Sequence, residues 1–294
     1  MHENFVILAG NKRSGTTFLR QYFEAHSQIS WDRQGYHFLN GDRHVTETYS
    51  DLFTKPSDGT SCFVDVCEHL AIGQIVNNME AWSSLRFTPD AKVGDALYLD
   101  QRKAAERIKA TMPNVRIVII LRNQIDWIRT HYRVFQEKLP QNKNTFQDFL
   151  STAEGQVVLN GGFYHKAIEA YYELFGKSNV LILSLDKMRD DRDNTLVTLC
   201  DFLRVDFEPW DSKTANRNSS GANHTFHIRR FLEKIGLSFR AVEFMRPLWN
   251  IGLKSIAKKI LSKDIISKEE KTMLSLFYSY SNSRTEHLTG LVIK

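Results

Sequence analysis

Short runs of mostly apolar residues recur along the chain, and polar or glycine-containing segments separate them. Runs of this length are typical of strands that are buried on both faces of a sheet. The clearest run begins at Val115 and leads directly into Arg122-Asn123. The predicted strands are Phe5–Ala9, Phe63–Val66, Val115–Leu121 and Val180–Leu183.

Between these runs, apolar residues return at helical spacing. The predicted helices are Thr16–Phe23, Lys103–Thr111, Asp126–Phe135, Phe146–Ala153, Phe163–Phe175 and Asn194–Leu203. The segment Ser267-Lys268-Glu269-Glu270 has the pattern of a capping box and predicts the start of a last helix. Strands that alternate with helices form a parallel sheet with helices on both faces. The pattern therefore predicts an α/β fold with a central parallel sheet and extra C-terminal helices.

The sequence contains no internal repeat, low-complexity tract or clear linker. Residues 211–227 are rich in Asn, Ser and Gly, which predicts an exposed loop, and the chain is helical in pattern from Ile228 onward. We therefore expect a single domain over residues 1–294, with a core at 5–235 and a C-terminal helical part at 236–294.

The composition narrows the possible classes of protein but does not identify a function. The 294 residues are 42% hydrophobic and carry a formal net charge of +5, a mild excess that suits an anionic ligand, nucleic acid or an acidic membrane surface. The cysteines are Cys62, Cys67 and Cys200; they are odd in number and lack metal-site spacing, so neither a disulfide framework nor a metal site is expected. No apolar stretch has the length of a secretion signal or a membrane span, which predicts a cytoplasmic protein.

The first candidate site follows the first predicted strand. Gly10 and Gly15, followed by Thr16-Thr17, have the spacing of a phosphate-binding P-loop, but Thr16 stands at the position of the usual lysine. A basic residue, Arg13, lies three positions earlier. Backbone N–H groups in such a loop, together with the start of the next helix, are suited to an anion. The central sheet is therefore predicted to be P-loop-like.

The absence of that lysine disfavours nucleoside triphosphate hydrolysis, in which lysine and Mg²⁺ together offset the charge of the β- and γ-phosphates. The run from Gly10 to Thr17 resembles the 5′-phosphosulfate loop of the sulfotransferases that use PAPS (3′-phosphoadenosine-5′-phosphosulfate). This resemblance implies that Arg13 contacts the phosphosulfate, with Lys12 beside it. The implied hydrogen-bond donors of the loop are Ser14, Gly15, Thr16 and Thr17.

A second motif lies about a hundred residues further along. Arg122 ends the strand at Val115–Leu121, and Thr130 follows eight residues later. The same family places an arginine and a serine at this spacing, and both bind the 3′-phosphate of the nucleotide. The carboxyl end of a strand is also where open α/β sheets bind ligands. The resemblance therefore implies that Arg122 and Thr130 hold the 3′-phosphate.

A weaker likeness extends the family's pattern over residues 5–235. Residues 216–230 resemble the loop that covers the nucleotide. For that loop, the resemblance implies that Ser220, Gly221 and Arg229 contact the donor.

The position of the catalytic base departs from the family's pattern. Carbohydrate-type sulfotransferases carry a glutamate where this chain has Gly35, so the base must be sought nearby. A carboxylate or an imidazole is the usual proton acceptor, and the first candidate is His37. Asp95 is the second, and the adjacent pair Glu68-His69 is the third.

The resemblance implies a sulfotransferase of the EC 2.8.2 type that moves a sulfuryl group from PAPS to a hydroxyl or amine by in-line displacement, releasing PAP (3′-phosphoadenosine-5′-phosphate). It implies no metal. The segment at 35–41 favours a carbohydrate or lipid-linked glycan as the acceptor, as in carbohydrate and heparan-type members.

Three alternatives stay open. A P-loop NTPase or kinase would need a Mg²⁺ ligand, which Asp65 offers. A catalytically impaired protein could bind PAPS or another anion without transfer. The basic stretch at 254–263 could contact an anionic surface, whereas nucleic acid is not expected as a partner because no base-reading motif accompanies it.

Overall fold

A computed structural model describes residues 4–32, 60–67, 101–138, 145–210 and 265–293, together with the backbone of two strands at 74–76 and 97–99. The strands are β1 (Phe5–Leu8), β2 (Ile29–Asp32), β3 (Cys62–Val66), β4 (Gln74–Val76), β5 (Leu97–Leu99), β6 (Arg116–Leu121) and β7 (Val180–Ser184). Five of them form one sheet in the order β2-β3-β1-β6-β7, and every pairing in this sheet is parallel. Strands β4 and β5 pair antiparallel with each other.

Nine α-helices accompany the strands in the described part of the chain. They are α1 (Thr16–Ala25), α2 (Gln101–Thr111), α3 (Gln124–Lys138), α4 (Phe146–Ser151), α5 (Ala153–Gly161), α6 (Tyr164–Phe175), α7 (Leu185–Asp190), α8 (Arg192–Leu203) and α9 (Lys268–Thr289). The predicted α/β fold with a parallel sheet and a C-terminal helix is confirmed.

The core lies on the two faces of this sheet. Ile7 and Ile117 pack on one face with residues of α2 and α6. Val6, Leu8 and Val118 pack on the opposite face with residues of α1 and α8. Because successive side chains of a strand point to opposite faces, apolar runs without alternation are required when both faces are covered.

Several short elements differ from the sequence-based expectation, and two of them have a clear physical reason. The predicted helix at 146–153 is divided at Thr152, whose hydroxyl accepts a hydrogen bond from the N–H of Gly155 (3.1 Å) and begins α5. Strand β2, at the edge of the sheet, was not predicted because its sequence Ile-Ser-Trp-Asp has no continuous apolar run.

The C-terminal helix α9 packs on α6 and on the turn that precedes α6. The Tyr278 hydroxyl donates to the carbonyl of Leu159 (2.6 Å), and Arg284 pairs with Glu169 (2.6 Å). A side chain at Gly162 would overlap the Tyr278 ring, at 2.6 Å from its Cζ atom. Glycine at this position therefore allows α9 to lie close to the turn between α5 and α6.

All these elements belong to one compact unit, which comprises Met1–Trp210 and Lys268–Lys294. Within the described ranges, no helix combines the length and the apolar character that a membrane span requires. The single domain expected over residues 1–294 stays a prediction.

Candidate functional site

The loop after β1 lies at the carboxyl edge of the sheet, and β1 itself lies between β3 and β6. The chain pairs β1 with β3 on one side and with β6 on the other. Strand order therefore changes direction next to this loop, which is the position where ligands bind in open α/β sheets.

The backbone of the loop turns twice through the left-handed region. Arg13 has φ 69° and Gly15 has φ 100°. Left-handed φ is strained for a residue with a side chain, and such strain concentrates at functional sites. Gly15 is the N-cap of α1 and provides no side-chain hydrogen bond to the first turn. The start of α1 thus presents backbone amides that no capping side chain satisfies, an arrangement suited to an anion.

Gly15 is required for packing as well as for conformation. A Cβ atom there would lie 2.7 Å from Cδ1 of Leu185 and 2.9 Å from Cε of Met188, both on α7. Such distances are well inside normal van der Waals contact. The loop is therefore held against the segment that follows β7.

The two predicted phosphate motifs are joined by a direct hydrogen bond. The Nη1 atom of Arg122 donates to the carbonyl oxygen of Arg13 at 2.7 Å, although the two residues are 109 positions apart. The Tyr164 hydroxyl donates to the carbonyl of Arg122 (2.8 Å) and fixes the backbone there. Adjacent parallel strands β1 and β6 bring these residues to the same edge.

Several positive charges surround Arg122. Partial burial lowers the pKa of its guanidinium, Asp126 opposes this effect, and Arg189 and Arg129 lower the pKa further. Arg129 is ion-paired with Asp126 (2.5 Å) and Arg189 with Asp186 (3.5 Å), so part of this positive charge is offset within the protein. The positive potential that remains around Arg122 is suited to an anionic ligand.

Thr130 lies on α3 beyond Arg122, as predicted. Its hydroxyl donates to the carbonyl of Asp126 at 2.8 Å, one turn earlier in the helix. The side chain of Asn123 caps the helix by accepting from the N–H of Asp126 (2.9 Å). The Thr130 hydroxyl must rotate away from this carbonyl to donate to a phosphate.

The remaining loop residues have mixed surroundings. Ser14 is fully buried, and its Oγ atom has no hydrogen-bond partner among the described residues. Thr16 is buried, and Thr17 is exposed and accepts from Nη2 of Arg20 (3.2 Å). Arg122 Nε is likewise a buried donor with no partner in the described ranges. Unpartnered polar atoms are uncommon in protein interiors, and two of them beside one loop fit a site made for a polar ligand.

Three residues in or beside the site were missed from the sequence. Trp127 is fully buried, and its Nε1 atom donates to the carbonyl of Lys12 at 2.8 Å. Tyr164 holds Arg122, and His131 lies one helical turn after Trp127. The only signal in the sequence was the spacing of Trp127 and His131, which places them on one face of α3.

The candidates for the catalytic base are not among the residues that the structure describes. His37, Asp95 and the pair Glu68-His69 lie outside the described residues, as do the predicted donor contacts Ser220, Gly221 and Arg229. The basic stretch at 254–263 also lies outside them.

Asp65, the Mg²⁺ ligand that an NTPase would need, lies on β3 opposite Ile7 of β1. It is 1% exposed and hydrogen-bonded to the Cys67 thiol, whose pKa is raised by burial and by this neighbouring carboxylate. Asp65 is therefore turned into the protein interior.

A solved sulfotransferase structure shares the fold. The crystal structure of a sulfotransferase from Alicyclobacillus acidocaldarius is 17% identical with a TM-score of 0.50, and the match covers 82% of this chain and 98% of that one. Mouse sulfotransferase SULT7A1 complexed with PAP is 16% identical with a TM-score of 0.40, covering 73% of this chain and 62% of that one. The sulfotransferase domain of the Synechococcus PCC 7002 olefin synthase is 14% identical with a TM-score of 0.41, covering 75% and 82%.

The search of curated proteins gave no significant match. The Sulfotransferase domain family, in contrast, matches residues 3–223, which include β1, the loop at 10–17, Arg122 and Thr130. The match spans most of the chain and includes both phosphate motifs. The chain therefore belongs to the sulfotransferase domain family, whose members take the sulfuryl group from PAPS.

Proposed function

We propose that this chain transfers a sulfuryl group from PAPS to a hydroxyl or amine of a carbohydrate or lipid-linked glycan and releases PAP. The observation that carries the donor half of this proposal is the hydrogen bond from Arg122 to the carbonyl of Arg13 at 2.7 Å. It brings the loop assigned to the 5′-phosphosulfate and the arginine assigned to the 3′-phosphate to one edge of the sheet. A nucleotide with phosphates at both positions matches this pair of sites.

The residues of the loop would act on the leaving group. PAPS supplies the sulfuryl group: a bond from the acceptor oxygen or nitrogen to sulfur forms while the bond from sulfur to the 5′-phosphate oxygen breaks. Arg13 and the amides at the start of α1 stabilise the negative charge that develops on that phosphate. Lys12, Ser14, Thr16 and Thr17 complete the loop's contacts.

Arg122 and Thr130 would hold the 3′-phosphate, and Ser220, Gly221 and Arg229 would cover the nucleotide. Arginine is suited to this task because its planar guanidinium binds phosphate through paired donors. With one donor used by Arg13, Arg122 keeps others for a ligand.

The acceptor must lose a proton as it attacks sulfur. We assign this proton to His37 or to Asp95, since the glutamate of the carbohydrate-type pattern is replaced by Gly35. Replacing the true base, as His37→Gln or Asp95→Asn, is expected to abolish transfer and leave PAP binding intact. Binding without transfer in the unmodified protein, over glycan, phenol and amine acceptors, would favour the catalytically impaired alternative.

The glycan part of the proposal rests on the segment at 35–41, whose Tyr-His-Phe pattern resembles carbohydrate-type members. An acceptor screen with PAPS and sulfated-product detection tests it. Turnover on glycans or glycolipids would support the assignment, and turnover only on small phenols would contradict it.

The donor is tested first, by calorimetric titration with PAP in the absence of metal, with AMP and ATP as comparison ligands. We expect micromolar or tighter binding of PAP that depends on the 3′-phosphate and is lost in Arg122→Ala. Arg102→Ala is the matched control, because Arg102 is exposed and its ion pair with Glu173 is at the surface. A Mg²⁺-dependent preference for ATP would contradict the proposal and favour an NTPase.

A further inference from the structure

A buried histidine–glutamate pair lies next to the loop at 10–17. His131 Nδ1 and Glu154 Oε1 are 3.1 Å apart, and the two side chains are 5% and 13% exposed. The second ring nitrogen of His131, Nε2, is buried and has no hydrogen-bond partner among the described residues. A carboxylate on Nδ1 sets the orientation and tautomer of an imidazole and leaves Nε2 as an acceptor.

This pair is connected to the loop through α3. Trp127 lies one turn before His131, and the two rings meet edge to face with centroids 5.2 Å apart. The same indole donates from Nε1 to the carbonyl of Lys12 at 2.8 Å. One face of α3 therefore supports the loop with an indole and places an imidazole behind it.

The charges that face His131 come from two directions. Burial lowers the pKa of the imidazole, Glu154 from α5 opposes this effect, and the positive charges of Arg13 and Lys12 from the loop lower the pKa further. Its neighbour on α3, Trp127, is uncharged. Without a bound anion, these surroundings therefore favour the neutral imidazole beside two cations.

We propose that His131, oriented by Glu154, is a positioning residue for the donor loop and takes up a proton from solvent when an anion occupies the loop. This inference rests on the proposed binding of PAPS. An anion next to Lys12 and Arg13 offsets their positive potential, so that the imidazolium becomes favourable and remains paired with the Glu154 carboxylate. The proton uptake follows from linkage between ligand binding and ionisation.

The test is calorimetric titration with PAP in buffers of different ionisation enthalpy, which counts the protons that accompany binding. At about pH 6.5, near the ordinary pKa of histidine, we expect more proton uptake for the unmodified protein than for His131→Gln. At about pH 8 the two should not differ, because the imidazole is neutral in both states. The phosphates of PAP also titrate near pH 6, so the difference between the variants is the quantity to compare.

The affinity for PAP distinguishes a positioning role of His131 from a role in packing alone. His131→Ala is expected to weaken PAP binding about tenfold, the usual size of effects that act through a neighbour. His131→Gln, which keeps a polar group at the position of Nε2, should restore much of that affinity at about pH 8. His165→Gln is the matched control: this buried histidine on α6 bonds to Ser281 at 2.8 Å and should leave both readouts unchanged.

Equal proton uptake in the unmodified protein and His131→Gln, or unchanged affinity in His131→Ala, would overturn this inference and leave the proposed function standing. No binding of PAP to the unmodified protein would overturn both. If thermal unfolding shows that His131→Gln does not fold, Glu154→Gln decides in its place. That variant removes the carboxylate that stabilises the imidazolium and should also reduce the uptake.

Discussion

Two arginines lie at opposite ends of the same central strand, and their surroundings differ. Arg116 begins β6 at the amino edge of the sheet. Its guanidinium donates to the carbonyl oxygens of Phe202 and Leu203 (3.2 Å to the latter) and to the side chain of Asn4. It also lies over the Phe202 ring, 5.3 Å from the centroid. Protein groups therefore satisfy Arg116 on several sides.

Arg122 follows the carboxyl end of the same strand and is bonded much less. Among the described residues, its side chain makes one hydrogen bond, to the carbonyl of Arg13, and its Nε atom makes none. Burial is the main cause that lowers the pKa of both guanidinium groups, so both are partly removed from water. The difference indicates that the arginine at the amino edge stabilises the fold, whereas the one at the carboxyl edge has donors that the described protein groups do not use, as the proposed phosphate contact requires.

The largest expected effect is the loss of stability when Arg116, at the amino edge of the sheet, is replaced. Arg116→Met removes the donor shared by two main-chain carbonyls and Asn4, and unsatisfied buried acceptors are costly. We expect the free energy of unfolding to fall by about 3 kcal/mol, with PAP affinity unchanged in the folded protein. Urea denaturation and PAP titration measure the two quantities. Weakened PAP binding with unchanged stability would reverse the assignment.

At the carboxyl edge the same substitution should have the opposite outcome. Arg122→Met removes a charged phosphate contact but only one hydrogen bond within the protein, so PAP affinity should fall about 30-fold or more. The free energy of unfolding should change by less than about 1 kcal/mol. A loss of stability as large as that of Arg116→Met would show that Arg122 is structural instead.

Strain in the loop predicts a smaller effect. Arg13→Ala and Arg13→Gly both remove the guanidinium and should weaken PAP binding to a similar extent. Since Arg13 has φ 69°, alanine keeps the cost of left-handed backbone whereas glycine removes it. After the entropy that glycine adds to the unfolded chain is subtracted, Arg13→Gly should be more stable than Arg13→Ala by about 0.5–1 kcal/mol. Urea denaturation decides, and an alanine variant as stable as the glycine variant would mean that the loop relaxes.

An effect of similar size is expected at Thr130. Thr130→Val keeps the shape and removes the hydroxyl, so PAP affinity should fall about threefold to tenfold. Thr130→Ser retains the hydroxyl and should bind PAP as the unmodified protein does. Equal affinity in Thr130→Val would indicate that the hydroxyl continues to bond to the Asp126 carbonyl when the nucleotide is bound.

The sequence-based prediction of the fold succeeded where local pattern is strong. The central strands are mostly apolar and almost entirely buried on both faces, so the runs alone identified them. Strand β2 was missed because its four residues form no continuous apolar run, and helix α7 because six residues carry too little periodicity to be recognised. The division between α4 and α5 depends on the hydroxyl of Thr152, which bonds in the folded chain.

Prediction of the site had a similar limit. The P-loop-like spacing at 10–17 and the interval from Arg122 to Thr130 are local, so sequence reasoning reached them. Trp127, Tyr164 and His131 have no such motif. A buried tryptophan on a helix is ordinarily a core residue, and only the contact with the Lys12 carbonyl shows that it supports the loop.

The amino-acid sequence by itself determined the α/β class and identified the loop at 10–17 and Arg122 as the proposed anion site, because these depend on residues close together in the chain. The tertiary structure alone decided that Arg13 and Arg122 meet. It also decided that Arg116 is satisfied by the protein, and that His131 and Glu154 lie behind the donor loop. Strand order brings distant segments to one edge of the sheet, and burial then removes water from some polar groups and leaves others available to a ligand.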